Sequence, residues 1–295
     1  MATVGVIGCG LMGSGIVKNL IKNNHEVVIY DINDDAVNNL INYGAMAAKK
    51  PEVLASQVDY LILSLTSSEV IKKILLDKDT GALYRMKKGS FILDMSTNDV
   101  GITREIYQTA KEYNVEFYDC PLSGGPEGAN NGTLTVMVGG NKERFSNILP
   151  ILQDIGKHIE YLGESGAGQV VKLCHNMVVA GVITLLSEAF LTAEQAGVSK
   201  NKLASILQKG SGQTRAMDVF GVNILDQTFD NVKFSLTNMR KDIHLYRKLA
   251  EDHKISTFVS EMSHQLYQLG INKGKGSLDS SAIYEVLVEM MQIKE

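Results

Sequence analysis

The sequence predicts an α/β protein in which a doubly wound parallel sheet is followed by an all-α domain. Three observations carry that prediction. Short β-branched runs alternate with longer helical patterns from Thr3 to about Gly140. Beyond Leu162 the strand-like runs disappear and helical periodicity takes over. Between the two regimes lies a glycine loop, Gly163-Glu164-Ser165-Gly166-Ala167-Gly168. It sets the expected division at residues 1–162 and 163–295. A chain of 295 residues that is 44% hydrophobic is long enough to bury two cores.

The predicted strands are Val4–Ile7, Val27–Tyr30, Tyr60–Leu65, Phe91–Met95, Val115–Tyr118 and Leu134–Val138. Most of the stretches between them are long enough for the crossover helices that parallel pairing needs. The first such helix runs from Met12 to about Asn23. In the second half a long helical pattern starts near Gln169 and continues to about Ala196, where Gly197 ends it. Further helices are predicted over Lys200–Lys209, Thr237–His253 and Ser256–Leu269.

The formal net charge is -4, with acids and bases mixed along the chain. No run of Lys or Arg offers the basic face that nucleic acid requires. Cys9, Cys120 and Cys174 are odd in number and far apart, which fits a reducing compartment and no disulfide framework. The N-terminus runs directly into an apolar strand without a basic leader, so the expected location is the cytoplasm. The longest apolar stretch, Met177 to Leu186, contains Thr184 and reads as too short to cross a bilayer.

Gly8, Gly10 and Gly13 form G-x-G-x-x-G straight after the first strand and open the first helix, around Leu11 and Met12. Gly8 permits the tight turn, Gly10 lets a pyrophosphate approach the backbone, and Gly13 lets helix and strand pack closely. The helix N-terminus adds free N–H groups and a positive dipole end. This is the signature of a Rossmann-type dinucleotide site. Asp31, at the end of the second strand, is placed to accept both ribose hydroxyls. A 2′-phosphate would meet a like charge there, so NAD is expected over NADP. Leu65 and Thr66 end one strand and Ser96-Thr97-Asn98 follows another, where ligands of open α/β sheets bind. The same Ser and Thr residues also suit ordinary helix caps.

Three further segments stand out. Asp119-Cys120-Pro121-Leu122-Ser123-Gly124-Gly125 offers a hydroxyl and unobstructed N–H groups, a cradle for a small carboxylate. In Gln169-Val170-Val171-Lys172-Leu173-Cys174-His175-Asn176, Lys172 and Asn176 are four apart and share one helix face with Gln169. A lysine in that apolar setting is expected to be desolvated and able to exchange a proton near neutral pH. His175 reads as a helix packing residue, with a partner that supports the site from behind as the alternative. The third segment, Phe234 to Tyr246, carries Arg240-Lys241-Asp242 and by itself reads as a solvated helix face.

These motifs, in this order and across almost the whole chain, resemble the β-hydroxyacid dehydrogenases, the group of 3-hydroxyisobutyrate dehydrogenase and tartronate semialdehyde reductase. The resemblance implies a Rossmann domain joined to an all-helical domain that pairs into homodimers or homotetramers. It implies Lys172 as catalytic acid/base and Asn176 as a substrate contact. Ser123, Gly124 and Gly125 would hold the substrate carboxylate. Phe234, Thr97 and Lys241 would contact the cofactor. At Gln213-Thr214-Arg215 relatives often carry Ser and an aromatic; Arg215 reads as a solvated residue at a helix start, and pairing with a second anionic group on the substrate is its alternative. A 6-phosphogluconate-type enzyme implies a longer helical part, and imine reductases usually lack the lysine. A cofactor-binding scaffold without catalysis would dispense with Lys172.

Overall fold

A computed structural model describes residues 1–291; the last four positions of the expected second domain, 292–295, lie outside the described residues. The strands are β1 (Thr3–Ile7), β2 (Glu26–Tyr30), β3 (Met46–Ala47), β4 (Tyr60–Leu63), β5 (Phe91–Asp94), β6 (Glu116–Asp119), β7 (Leu122–Ser123), β8 (Leu134–Gly139) and β9 (Gly156–Gly163). The helices are α1 (Leu11–Lys22), α2 (Asp34–Ile41), α3 (Pro51–Ala55), α4 (Ser68–Leu76), α5 (Val100–Glu112), α6 (Gly125–Asn131), α7 (Phe145–Gln153), α8 (Ala167–Gln195), α9 (Lys200–Leu207), α10 (Val222–Asp226), α11 (Leu236–Asp252), α12 (Phe258–Asn272) and α13 (Ile283–Met290). The chain divides into two compact units, Met1–Lys172 and Leu173–Glu295. That division falls inside α8, ten residues beyond the expected 162/163 boundary.

The sheet of the first unit runs β3-β2-β1-β4-β5-β6-β8-β7, with β9 beside β8. From β3 to β6 every pairing is parallel. The order reverses between β1 and β4, which makes their carboxyl ends the ligand-binding edge. The expected all-parallel sheet needs one correction: β8 lies antiparallel to β6 and β7, and β9 parallel to β8. The connection from β6 to β8 passes through β7, which pairs antiparallel with β8, and the short helix α6, so the chain returns in the opposite direction. The β9 strand escaped the sequence reading because its residues face solvent along most of their length and show no apolar run.

Alternation along the strands builds two cores, one on each face of the sheet. Val4, Val6, Ile62, Phe91, Leu93 and Tyr118 face one side. Ile7, Leu61, Leu63, Ile92 and Phe117 face the other. The strands are hydrophobic throughout because both faces are covered, as parallel sheets require.

The second unit is built around α8. Met177, Ala180, Ile183, Leu186 and Phe190 recur at helical spacing and pack with Leu236, Met239 and Ile243 of α11 and Ile283, Val286 and Leu287 of α13. The 29 residues of α8 and a mean hydropathy of 1.7 over its most apolar window satisfy, by length and composition, the requirement for crossing a bilayer. The expectation that this stretch is too short is therefore wrong. What marks it as a core helix instead is its burial: 56% of that window lies inside the protein.

Candidate functional site

The turn after β1 has the shape its glycines were expected to permit. Gly8 has φ +99, and a Cβ there would meet the Ser64 carbonyl oxygen at 2.2 Å. A Cβ on Gly13 would stand 1.9 Å from the Gly8 carbonyl oxygen, so β1 and α1 pack backbone to backbone. At Gly10 a Cβ would meet nothing within 4 Å. Gly10 caps α1 without any side-chain hydrogen bond. The turn therefore presents uncapped helix N–H groups to open space, and Leu11 is exposed beside it with Met12 half-buried. These features fit a dinucleotide pyrophosphate.

Asp31 closes the turn from the side. Its Oδ2 accepts the Cys9 N–H at 2.6 Å and its Oδ1 accepts the Asn33 N–H at 2.8 Å. A carboxylate has about four lone-pair directions, so two remain for hydroxyl donors. Asp34 and Asp35 occupy the first turn of α2. Burial, with Asp31 as the nearest charge, pushes the Cys9 thiol up to about 12, so it stays a neutral thiol.

Two loops at the same strand ends are tied together. The Leu65 N–H, next to exposed Thr66, donates to Ser96 Oγ at 2.9 Å. Asp94, at the end of β5, accepts the Ser96 N–H at 3.0 Å and the Asn98 side-chain amide at 3.2 Å. Thr97 lies half-buried between them. The cradle follows β7: Ser123 is half-buried, and Gly124 and Gly125 adopt φ +128 and +62. Its helix α6 is fixed to α1. A Cβ at Gly15 of α1 would strike the Ala129 backbone at 2.6 Å, and Asn19 Nδ2 donates to the Ala129 carbonyl at 2.6 Å.

The start of α8 is held by the sheet edge. Asp119, fully buried at the end of β6, accepts the N–H of Gly166 at 2.8 Å and of Gln169 at 3.0 Å. Gly168 must be small: a Cβ there would lie 2.4 Å from the Met137 carbonyl oxygen. Gln169 is itself fully buried, with its side chain on the Ser96–Asn98 loop. Lys172, one turn further on, is 8% exposed, as a desolvated acid/base would be.

Two buried carboxyls underlie this edge. Burial raises Asp94 to about 6, against hydrogen bonds from Ser96 and Asn98 that lower it. Burial also raises Asp119, opposed by the backbone donors of Gly166 and Gln169. The folded state thus holds the Asp94 proton more tightly than the unfolded chain does. Its contribution to stability grows as pH falls through about 6 and is absent above it. Between pH 7 and pH 5 it should add about 1 kcal/mol. Urea unfolding of Asp94→Asn at both pH values should show that increment gone; an unchanged pH dependence would refute the assignment to Asp94.

In the second unit, Asn176 is buried and donates to Asp242 Oδ2 at 2.5 Å, while Lys241 pairs with Asp242 Oδ1 at 2.9 Å. The charge cluster that reads as a solvated face is thus built around a fully buried carboxylate. Asp279 holds the chain entering α11 by accepting the N–H groups of Lys233 and Phe234 at 2.9 and 3.2 Å. Phe234 packs half-buried on that core. Arg215 is exposed, just before a π turn at Met217–Gly221. His175 and Cys174 lie on the exposed side of α8, which corrects the reading of His175 as a packing residue.

Within the first unit the glycine turn, Asp31, both loops, the cradle and the helix of Lys172 thus gather at one sheet edge. The sequence reading missed Asp94, Asn98 and the double contact of Gln169. The available signal was the polar spacing Asp94-x-Ser96-x-Asn98 at the end of an otherwise apolar strand.

Residues 3–163 match the family model described as the NAD binding domain of 6-phosphogluconate dehydrogenase. Residues 166–287 match the model described as NAD-binding of NADP-dependent 3-hydroxyisobutyrate dehydrogenase. The chain is 32% identical over 295 residues to the mitochondrial 3-hydroxyisobutyrate dehydrogenase of Homo sapiens, covering 97% of this chain and 87% of that one. It is 30% identical over 294 residues to the NAD-dependent L-serine dehydrogenase of Pseudomonas aeruginosa, covering 97% and 98%. Among solved structures, Mycobacterium tuberculosis 3-hydroxyisobutyrate dehydrogenase with L-serine superposes with a TM-score of 0.89 at 26% identity, covering 97% and 99%.

Proposed function

The chain belongs to the β-hydroxyacid dehydrogenase family, and from that premise we propose that it transfers a hydride between NAD(H) and a small 3-hydroxy acid or its semialdehyde, with Lys172 as acid/base. One observation carries this reading. The buried lysine stands on a helix whose first turn is hydrogen-bonded to both the Thr97 loop and the strand end that leads into Ser123.

When bound, the nicotinamide ring supplies hydride chemistry, and the chain's own residues bind, orient and move the proton. Gly8, Gly10, Leu11, Met12 and Gly13 receive the pyrophosphate, and Asp31 the adenosine ribose. Leu65, Thr66 and Thr97 are assigned to the rest of the cofactor, as are Phe234 and Lys241 by the family resemblance. Ser123, Gly124 and Gly125 take the substrate carboxylate. Asn176, oriented by Asp242, holds the reacting hydroxyl, and Lys172 takes its proton in oxidation and returns it in reduction. Arg215 is assigned to a second anionic group on the substrate.

Asp31 with Asp34 and Asp35 behind it favours NAD over NADP. The cradle recognises a carboxylate common to many candidates, so the decisive experiment is an activity panel. It follows NADH and NADPH formation with 3-hydroxyisobutyrate, L-serine and related hydroxy acids, and their consumption with semialdehydes including 2-hydroxy-3-oxopropionate. NAD-linked turnover of a 3-hydroxy acid is the expected result. Cofactor binding without turnover of any substrate would make the chain a scaffold instead.

The helical unit is assigned to self-association as a homodimer or homotetramer. Val178 and Leu185 on α8 and Phe258, Val259 and Met262 on α12 expose more than 60% of their surface, a contiguous apolar face of the kind that self-association covers. Light scattering that returns a monomer would remove this assignment. A cytoplasmic location is part of the proposal, supported by three free thiols; fractionation of the source cells checks this.

A further inference from the structure

Gln169 is completely buried, and its carboxamide hydrogen-bonds to main chain at both ends. Its Oε1 accepts the Asn98 N–H at 2.9 Å, and its Nε2 donates to the Ser96 carbonyl at 2.9 Å. The two residues it grips are the neighbours of Thr97 on either side. Its own N–H donates to Asp119, four residues before Ser123. Lys172 follows it by three residues on α8.

We propose that Gln169 is a positioning residue for hydride transfer, whose carboxamide fixes the register between the loop carrying Thr97 and the helix carrying Lys172. The inference rests on the assignment of Lys172 as acid/base and Thr97 as a cofactor contact. The far side of the loop is already anchored, by Asp94 to Ser96 and Asn98 and by Ser96 Oγ to Leu65. On the side facing α8, the Gln169 carboxamide both donates and accepts. Of residues this size, only glutamine does so at every pH. Methionine fills the same volume with neither bond. Glutamate accepts from Asn98 in either state but donates to Ser96 only when protonated.

That difference supplies a readout that packing alone would not move. The reacting groups must be held to well under 1 Å, and a displacement of that size can cost about 100-fold in rate. Gln169→Met should lower kcat about tenfold while KM for NAD stays within about twofold. Gln169→Glu places a carboxyl among Asp94, Asp119, Arg104 (whose Nε donates to the Ser165 carbonyl at 3.3 Å) and Lys172. Burial and the two carboxyls favour its protonated form, against Arg104 and Lys172, which favour ionisation, so it loses its proton within the pH range assayed. The Glu variant should therefore work near the wild-type rate at low pH, with the ratio of its kcat to wild type falling as pH rises.

The experiment measures kcat and KM for wild type, Gln169→Met, Gln169→Glu and Lys172→Met across pH, with thermal unfolding as a check of folding. A folded Gln169→Met at the wild-type kcat overturns the proposal. So does a ratio of Gln169→Glu to wild type that is constant across pH, whether high or low; this arm decides the matter if the Met variant does not fold. Full activity in Lys172→Met would instead overturn the acid/base assignment, an outcome separate from both.

Discussion

Replacing Lys172 by methionine should lower kcat by about 10²–10⁴ while leaving NADH affinity within about threefold, as fluorescence titration would measure. The range is what a positioned general acid/base contributes. Methionine suits the test because Lys172 is 8% exposed. An apolar chain of similar length keeps the packing and removes only the ammonium. Lys172→Arg should be about as inactive, because a guanidinium keeps its proton throughout the working pH range. A small primary amine in the buffer should restore part of the activity of Lys172→Ala, by supplying the missing acid/base in the vacated space. A kcat within tenfold of wild type in both Met and Arg variants would show that proton transfer runs through another group.

Much of this site was legible because its chemistry is local in sequence. The Gly8–Gly13 turn needs glycine for reasons that act within a few residues, or against the adjoining strand: Gly13 meets Gly8 itself. Asp31 was legible because strand length and crossover length fix its distance from the turn. The strands β1, β2, β4, β5 and β6 were legible because both faces are largely buried, so each reads as an apolar run; the two exposed residues of β3 gave no such signal. What sequence could not supply was the pairing of polar groups across long separations. Asp119 meets Gly166, Asn98 meets Gln169, and Asn176 meets Asp242, with 47 to 71 residues between partners. No periodicity predicts such pairs, and a buried Gln or Asn looks like a surface residue until the fold encloses it. The exposed β9 was lost for the opposite reason, since it carries no apolar run; the strand at Leu134–Val138 was legible, but its antiparallel direction is set by its neighbours in the sheet.

The second large effect expected is on cofactor choice. Asp31→Ser should lower the ratio of kcat/KM for NAD to that for NADP by about 10³-fold. Two contributions add. The carboxylate accepts hydrogen bonds from the ribose hydroxyls, and a charge-assisted bond lost here costs about 1.5–3 kcal/mol. A 2′-phosphate placed about 5 Å from the same carboxylate is repelled by about 3 kcal/mol per unit charge at an effective dielectric of 20. Removing the acid therefore weakens NAD and relieves NADP together. Serine is the informative replacement. Asparagine would turn an N–H₂ toward the Cys9 or Asn33 N–H, both of which now donate to Asp31, and would damage the glycine turn for an unrelated reason. Full NADP preference is not expected from the single change, because Asp34 and Asp35 still occupy the first turn of α2 and no arginine follows Asp31 at Ile32 or Asn33. The ratio at low and high salt adds a check, since the electrostatic part should shrink as salt screens it. A wild-type enzyme that prefers NADP, or a ratio that Asp31→Ser leaves unchanged, would mean that the ribose is recognised elsewhere and that Asp31 serves only to hold Cys9 and Asn33 in place.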